Sequence, residues 1–194
     1  MTENTAAAAA QESLPACYTI EVHKHRFAAW ASSRAASVKG CRFSVEQGRA
    51  MLESCGLNSG FSTPDLFPDT PEGIDDQHRR WRQQIIEAGK EYRLTVTHGV
   101  AAKLINVYLK CRFVCGGQHD RQRISDLHPP IDDVLQRTLA DLNFGGEAKV
   151  WRRTRSLRWS KLNSEQYEEL IQVIRRSLRG NPLWSIEEHW KGNQ

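Results

Sequence analysis

The sequence has no long apolar run, and this absence excludes a conventional membrane-spanning helix. No stretch of about 18 consecutive apolar residues, the length that crossing a bilayer requires, occurs in the 194 residues. Residues 1–11 are polar apart from five alanines, and they lack the basic start and leucine-rich core of a secretory signal. We therefore expect a flexible N-terminal tail over residues 1–17, a single folded domain over residues 18–194, and a cytoplasmic location.

Cysteine is scarce and unpatterned, which argues against two kinds of small-domain scaffold. The chain has five cysteines, an odd number, and no Cys-x-x-Cys pair. Neither a disulfide framework nor a zinc ribbon is therefore predicted. Cys111 and Cys115 are four residues apart on a predicted helix, and we interpret them as buried packing residues. No metal ion and no cofactor is predicted.

Charge of one sign is missing from two segments. Residues 56–77 contain five acidic residues and no lysine or arginine, whereas residues 148–164 contain six basic residues and no acid. The net charge of the chain is only +4, so this uneven distribution matters more than the total. Arginine favours planar, bidentate contact with phosphate. The arginines of the basic segment, predicted to contact a polyanion, are Arg152, Arg153, Arg155 and Arg158.

Apolar residues recur at helical spacing through most of the chain, and no convincing β-sheet pattern is present. Ser44 with Gln47, and Asn163 with Gln166, have the sequence pattern of helix-capping boxes. Residues 98–114 are nearly all apolar and predict a central buried helix. The sequence thus predicts an all-α fold with helices at 21–38, 45–55, from Asp75 or Asp76 to about 90, 98–114, from Pro129 and Pro130 to 142, 163–178 and 182–190, and with loops at 58–74 and 116–126.

A lysine lies near the start of the predicted buried helix. Lys103 follows a turn at Gly99 and Val100, where a helix start offers unpaired amides and a dipole that favour an anion such as a DNA phosphate. Desolvation is expected to lower the pKa of this lysine, and a neutral amine is a nucleophile that forms Schiff bases. Asp132, near the next helix start, is suited to take a proton or stabilise a sugar cation. Taken alone, the two residues are more often a salt-bridging or solvent-reaching lysine and a helix cap.

The flanking residues resemble a known family. Endonuclease III relatives carry a Gly-Val-Gly-x-Lys-x-Ala-Asn-Val-like run and then a Val-Asp-x-His-like run. Asp132 matches the aspartate of the second run, and the residues that match the first run in register are Gly99, Val100, Lys103, Asn106 and Val107. Residues 98–142 therefore resemble the core of the helix-hairpin-helix DNA glycosylases. The chain departs from the family at Ala101, where a second glycine is usual, and no cysteine follows Cys115 to hold an iron–sulfur cluster.

The resemblance implies a helix-hairpin-helix glycosylase-like helical domain. Its hairpin and catalytic core would lie at about residues 92–142, and a basic DNA-contact segment at 148–162. It implies cleavage of the N-glycosidic bond of a modified or mispaired base that is flipped out of double-stranded DNA. Lys103 would be the nucleophile or proton-transfer group, Asp132 the stabilising carboxylate, and strand cutting by β-elimination (AP-lyase activity) would follow. The hairpin residues on the DNA backbone would be His98, Gly99, Val100 and Ala101.

A flipped base also needs a pocket with stacking partners. The candidates for that pocket are Trp30, Tyr108, His128 and Trp151. We expect a monomer that acts on DNA and not on a membrane. The biological setting would be either repair of a rare lesion or removal of modified bases from phage DNA in antiviral defence.

Two other functions fit the same sequence. One is a non-catalytic DNA- or RNA-binding module that uses the hairpin and the arginines, whose affinity would fall steeply with salt. The other is an interaction protein whose C-terminal Trp184 and Trp190 dock a partner, with association insensitive to salt.

Overall fold

Residues 18–192, which a computed structural model describes, form helices joined by short connections. No strand is present in this part of the chain, which has one isolated bridge between Val38 and Cys41, and the predicted mainly helical fold is confirmed. The predicted tail at residues 1–17 lies outside the described residues. The helices are α1 (Ile20–Ala36), α2 (Val45–Ser54), α3 (Pro71–Glu91), α4 (His98–Leu109) and its π-helical continuation (Lys110–Gln118), α5 (Gln122–Ser125), α6 (Asp133–Asp141), α7 (Ala148–Leu157), α8 (Ser164–Leu178) and short 3-10 turns at Pro64–Leu66, Phe144–Gly146, Trp159–Lys161 and Leu183–His189. Between residues 18 and 192, no helix is both long and apolar enough to cross a membrane.

Side-chain caps determine where several helices begin. The side chains of Ser44 and Asn163 each accept a hydrogen bond from the amide three residues later, and the side chains of Gln47 and Gln166 each accept one from the backbone amide of the cap residue. Both predicted capping boxes are therefore confirmed. Each satisfies two backbone donors that a helix start would otherwise leave unpaired.

Two helix starts differ from the prediction. α3 begins at Pro71 and is capped by the Thr70 hydroxyl, so a cap at Asp75 or Asp76 is wrong. Proline at the first position of a helix has no amide to leave unpaired, and the preceding threonine supplies the acceptor. α6 begins after Asp132, the extended residue whose side chain caps it, and the prolines at 129 and 130 therefore precede the helix instead of forming its first turn.

The predicted loop at residues 116–126 and the basic segment, for which no helix was predicted, are both partly helical. α4 continues as a π-helix to residue 118, and α5 follows within the predicted loop at residues 116–126. The basic segment, which shows no clear periodicity, forms α7. On the π-helix, Cys111 is half-buried and Cys115 is exposed, so the interpretation of Cys115 as a packing residue is wrong. The wider π turn moves residue 115 out of the register that an α-helix would give it.

Two hydrophobic clusters form the interior, and α4 lies between them. The first cluster draws on α1 to α5, and the second on α6 to α8 with the C-terminal 3-10 turn. Within α4, Ala101 and Leu104 pack in the first cluster while Ala102 packs in the second. Lys103, between Ala102 and Leu104, therefore lies where the two clusters meet.

Gly99 lets the chain pass unusually close to the start of α4. A Cβ atom at this position would lie 1.8 Å from the carbonyl oxygen of Trp159. The amide of Gly99 donates a hydrogen bond to the carbonyl oxygen of Leu162, with a nitrogen–oxygen distance of 3.2 Å. The residue is conformationally helical and needs no positive φ. Glycine is required at this position because the backbone of residue 159 comes too close to leave room for a Cβ atom.

We expect Gly99→Ala to lower the free energy of unfolding by about 1–3 kcal/mol, the usual range for inserting a methyl group into a filled space. The overlap is with backbone, which cannot move aside as a flexible side chain can. Gly116→Ala is the matched control, because its Cβ would lie 3.8 Å from its nearest neighbour, the Cys111 carbonyl oxygen. Urea denaturation of both variants measures the difference. Equal stability of the two variants would show that the segment at 159–162 is not held against α4.

Candidate active site

Lys103 and Asp132 meet in the structure. The Nζ atom of Lys103 lies 3.0 Å from Oδ2 of Asp132, although 28 residues separate them in the chain. The Asp132 side chain is 20% exposed and that of Lys103 is 8% exposed. The two carboxylate oxygens have different partners, because Oδ1 accepts the amide of Leu135 at 3.0 Å and so fixes the orientation of the group. An otherwise buried ammonium thus faces a carboxylate held by the start of α6.

Burial is the main influence on the Lys103 amine. It lowers the pKa of Lys103 below its usual value, and the charge and hydrogen bond of Asp132 offset part of that effect. Lys103 is the sixth residue of α4, in its second turn, so the helix dipole contributes less than a first-turn position would give. Its Nζ atom also lies 5.6 Å from the centre of the Trp159 ring. The lowered pKa increases the fraction of amine that is free to act as a nucleophile.

A cavity of about 400 Å³ opens beside this pair. Its volume lies within the range of ligand sites, which runs from about 300 to 1,000 Å³. Its walls are largely apolar, and they include Ala35, Val107, Cys111 and Pro130. A lysine and an aspartate at the edge of such a cavity are placed to act on a group that enters it.

The C-terminal segment completes the cavity. The indole Nε1 of Trp190 donates to Oδ2 of Asp132 at 3.0 Å, the same oxygen that contacts Lys103. Glu187 and Lys110 also line the cavity and pair with each other, and burial raises the pKa of the Glu187 carboxyl. Sequence reasoning assigned Trp190 to partner docking and did not single out Lys110 or Glu187. No local motif in the sequence indicates that these residues come together, because they are distant from one another in the chain.

The four predicted base-pocket residues do not line the cavity. Tyr108 is buried in the first cluster and bonded to His25, while Trp151 is buried in the second cluster, where its indole donates to the Phe144 carbonyl. His128 is buried and bonded to Asp75 and Tyr167. All three side chains are therefore enclosed within the protein and bonded there, away from the cavity beside Lys103.

Trp30, unlike the other three, is exposed, but it too lies away from the cavity. It is half exposed on α1 and packs against Phe27, with ring centres 5.9 Å apart. It does not line the cavity beside Lys103. The aromatic groups near the lysine are instead Trp159 and Trp190.

The predicted hairpin contacts to DNA also need correction. Gly99, Val100 and Ala101 are buried, and their amides donate to Leu162, to Thr97 Oγ1 and to the Thr97 carbonyl. His98 is partly buried. The helix start therefore has no free amide at positions 99–101 to offer a phosphate. The physical cause is the segment at 159–162, which the Gly99 contact holds over this end of α4.

The predicted arginine surface is exposed. Arg152, Arg153, Arg155 and Arg158 all lie at the surface on α7 or just after it. Arg155 Nε donates to Asp133 Oδ1 at 2.8 Å, and Arg153 pairs with Glu169. Because Asp133 directly follows Asp132, this surface adjoins the cavity at the start of α6.

A chain of hydrogen bonds runs from Asn106, three residues after Lys103, to Asp75. The Asn106 amide donates to the Tyr167 hydroxyl at 3.0 Å, which can then donate to His128 Nδ1, and His128 Nε2 donates to Asp75. His78 stacks on Tyr167 and bonds to Asn106 Oδ1. Burial lowers the pKa of both histidines, that of His78 strongly, so both are neutral at pH 7.

These histidines predict acid sensitivity of the fold. Below about pH 6.5 the unfolded chain takes up protons that the folded protein does not, so the free energy of unfolding falls as the pH falls, by up to about 1.4 kcal/mol per pH unit and histidine. Urea denaturation between pH 7.5 and 5 measures this slope. We expect His78→Gln to flatten it, and His23→Gln, at an exposed position, to leave it unchanged. An equal slope in all three proteins would mean that His78 does not stay neutral.

Comparisons of the chain with protein-family models, with curated proteins and with solved structures give no match.

Proposed function

We propose that the protein is a DNA N-glycosylase of helix-hairpin-helix type, with Lys103 and Asp132 as its catalytic pair. The observation that carries the proposal is the 3.0 Å contact between a buried lysine and a helix-capping aspartate at the edge of an apolar cavity. The family resemblance at residues 98–142 independently selects these two residues. The placement of the lysine on α4, after a short turn from α3, and of the aspartate at the start of α6, is consistent with the proposed fold.

The chemistry follows from the two side chains. Asp132 accepts a proton from the Lys103 ammonium, which leaves a neutral amine. As the bond between the base and the sugar carbon C1′ breaks, the bonding electrons leave with the base, which takes up the proton from Asp132, and the Asp132 carboxylate, negative again, stabilises the positive charge that develops on the sugar. The amine forms a bond to C1′, and the resulting Schiff base permits β-elimination of the 3′ phosphate. Base release and strand cutting thus use the same lysine.

The surroundings fit a flipped nucleotide. The apolar walls exclude water and accept a planar base, and Trp190 offers an aromatic face at the cavity edge. The arginine surface on α7 adjoins the cavity through Asp133 and provides charge for the DNA backbone. Repair of a rare lesion and removal of modified bases from phage DNA both use this chemistry, and the base released distinguishes them.

A panel of DNA duplexes tests the proposal. Duplexes carrying uracil, 8-oxoguanine, alkylated purines, or hydroxymethylated or glucosylated cytosine are incubated with the protein, and base release and strand nicking are measured. We expect release of at least one base and a borohydride-trapped adduct. If no duplex of the panel shows base release or nicking while salt-sensitive DNA binding is intact, the result would instead support a non-catalytic binding module.

A further inference from the structure

A second pocket, of about 320 Å³, lies at the corner between α1 and α2. Its lining is strongly polar and contains no acidic residue. The polar side chains that line it are Ser33, Arg34, Ser37, Lys39, Arg42 and Ser44. Three cations around one concave space repel one another, and an anion bound among them relieves that repulsion.

The three cations have no ion-pair partner among the described residues, residues 18–192. By contrast, Lys24 and Arg49 on the same two helices pair with nearby glutamates. A fourth cation reaches the same corner, since the Nζ atom of Lys161 lies 3.9 Å from the position of a Cβ atom built at Gly40. The corner therefore concentrates positive charge that the folded chain does not neutralise.

The corner is held in place by its own hydrogen bonds. Val38 and Cys41 exchange two backbone hydrogen bonds, of 3.2 and 3.0 Å, around the turn. The Ser37 hydroxyl donates to the Phe43 carbonyl and accepts the Phe43 amide, and Ser44 caps α2. The backbone that carries the cations is thus ordered before any ligand binds, which reduces the entropy lost on binding.

The pocket is connected to the Lys103 cavity through two elements. Arg34 precedes Ala35, which lines that cavity. Lys161 belongs to the same 3-10 turn as Trp159, whose ring lies beside the Lys103 amine. The two elements that carry Arg34 and Lys161 therefore also carry residues beside the Lys103 amine or its cavity.

We propose that this corner pocket binds a backbone phosphate of the DNA strand that enters the Lys103 cavity. The identity of the ligand as DNA rests on the proposed function, whereas the pocket itself stands on its geometry and charge. The pocket supplies the phosphate contact that the start of α4 cannot make, because its amides at 99–101 are paired within the protein. Arginine and lysine side chains with nearby hydroxyls are the usual partners of a phosphate.

The test is the salt dependence of DNA binding by the Arg34→Gln/Arg42→Gln double variant. Affinity for a duplex with a tetrahydrofuran abasic-site analogue is measured over a range of salt concentrations. Each phosphate contact adds about 0.9 to the slope of log affinity against log salt, so we expect the slope to decrease by about one. The matched control is Arg80→Gln/Lys90→Gln, which removes the same charge from the exposed face of α3.

The outcomes separate this proposal from the proposed function. A smaller slope in the double variant alone supports the pocket, with or without base release by the wild type. An unchanged slope, or an equal decrease in both variants, overturns it, because general charge then explains the binding. If the wild type binds no DNA, the proposed function fails, and titration with pyrophosphate then decides whether the pocket is a phosphate site. Saturable pyrophosphate binding that the double variant loses would assign the pocket to free phosphates, and no binding would overturn it.

Discussion

If Lys103 is the proposed nucleophile, we expect Lys103→Gln to abolish the borohydride-trapped adduct and to lower base release by about 10³-fold or more. Glutamine retains the length of the side chain approximately and can still donate to Asp132, but it has no amine to attack the sugar. Asp132 remains bonded to Leu135 and Trp190, so its orientation is kept. The measurement is single-turnover release and trapping on the base that the panel identifies.

Lys110→Gln is the matched control for this result. Lys110 lines the same cavity and carries the same ammonium group, but it pairs with Glu187 and not with Asp132. We expect its adduct formation to persist, with a change in affinity at most. If Lys110→Gln lost the adduct while Lys103→Gln kept it, the nucleophile would be Lys110 and not Lys103.

Asp132→Asn separates the two halves of the reaction. Without the carboxylate, the sugar cation loses its stabilising charge, and we expect base release to fall by about 10²–10⁴-fold, the range for a positioned acid–base group. Asp132 raises the pKa of Lys103, so its removal lowers that pKa further. The free amine then persists to lower pH. On DNA that already contains an abasic site, the rise of adduct formation with pH should therefore shift to lower pH.

Stability provides an independent check on this variant. Asparagine is as good a helix N-cap as aspartate, so α6 should keep its start, and unfolding curves should show no loss of the helix. Asp133→Asn is the control, because Asp133 is the neighbouring carboxylate and bonds to Arg137 and Arg155 at the surface. It should leave base release and the pH profile nearly unchanged. A shift of the adduct profile to higher pH in Asp132→Asn would contradict the proposed coupling.

Local sequence signals predicted the helices better than their exact ends. The boxes at Ser44 and Asn163 are confirmed because each depends on residues three positions apart. The starts of α3 and α6 were misplaced because Thr70 and Asp132 cap with a single side chain, and neighbouring acids or prolines gave a competing local signal. The sequence pattern predicted this helix as far as residue 114, but not that it becomes π-helical from Lys110.

The site was predictable where a chain motif existed and not where distant segments meet. The runs around Lys103 and Asp132 identified both residues, and their contact is present in the structure. Trp190 and Glu187 reach the cavity from a segment more than 50 residues beyond Asp132, and only the fold brings them there. The same limit applies to Gly99, whose packing against residue 159 cannot be inferred from its own neighbours.

The position of Lys103 between two hydrophobic clusters has a consequence for how the proposed activity would be lost. The lysine is carried by the helix that both clusters share, whereas Asp132 is held by α6 of the second cluster alone. A slight loosening of one cluster against the other lengthens the 3.0 Å contact without melting any helix. Gentle heating or dilute denaturant should therefore inactivate the protein while its circular dichroism is still that of the native state. The proposed activity would thus report how tightly the two hydrophobic clusters pack against each other.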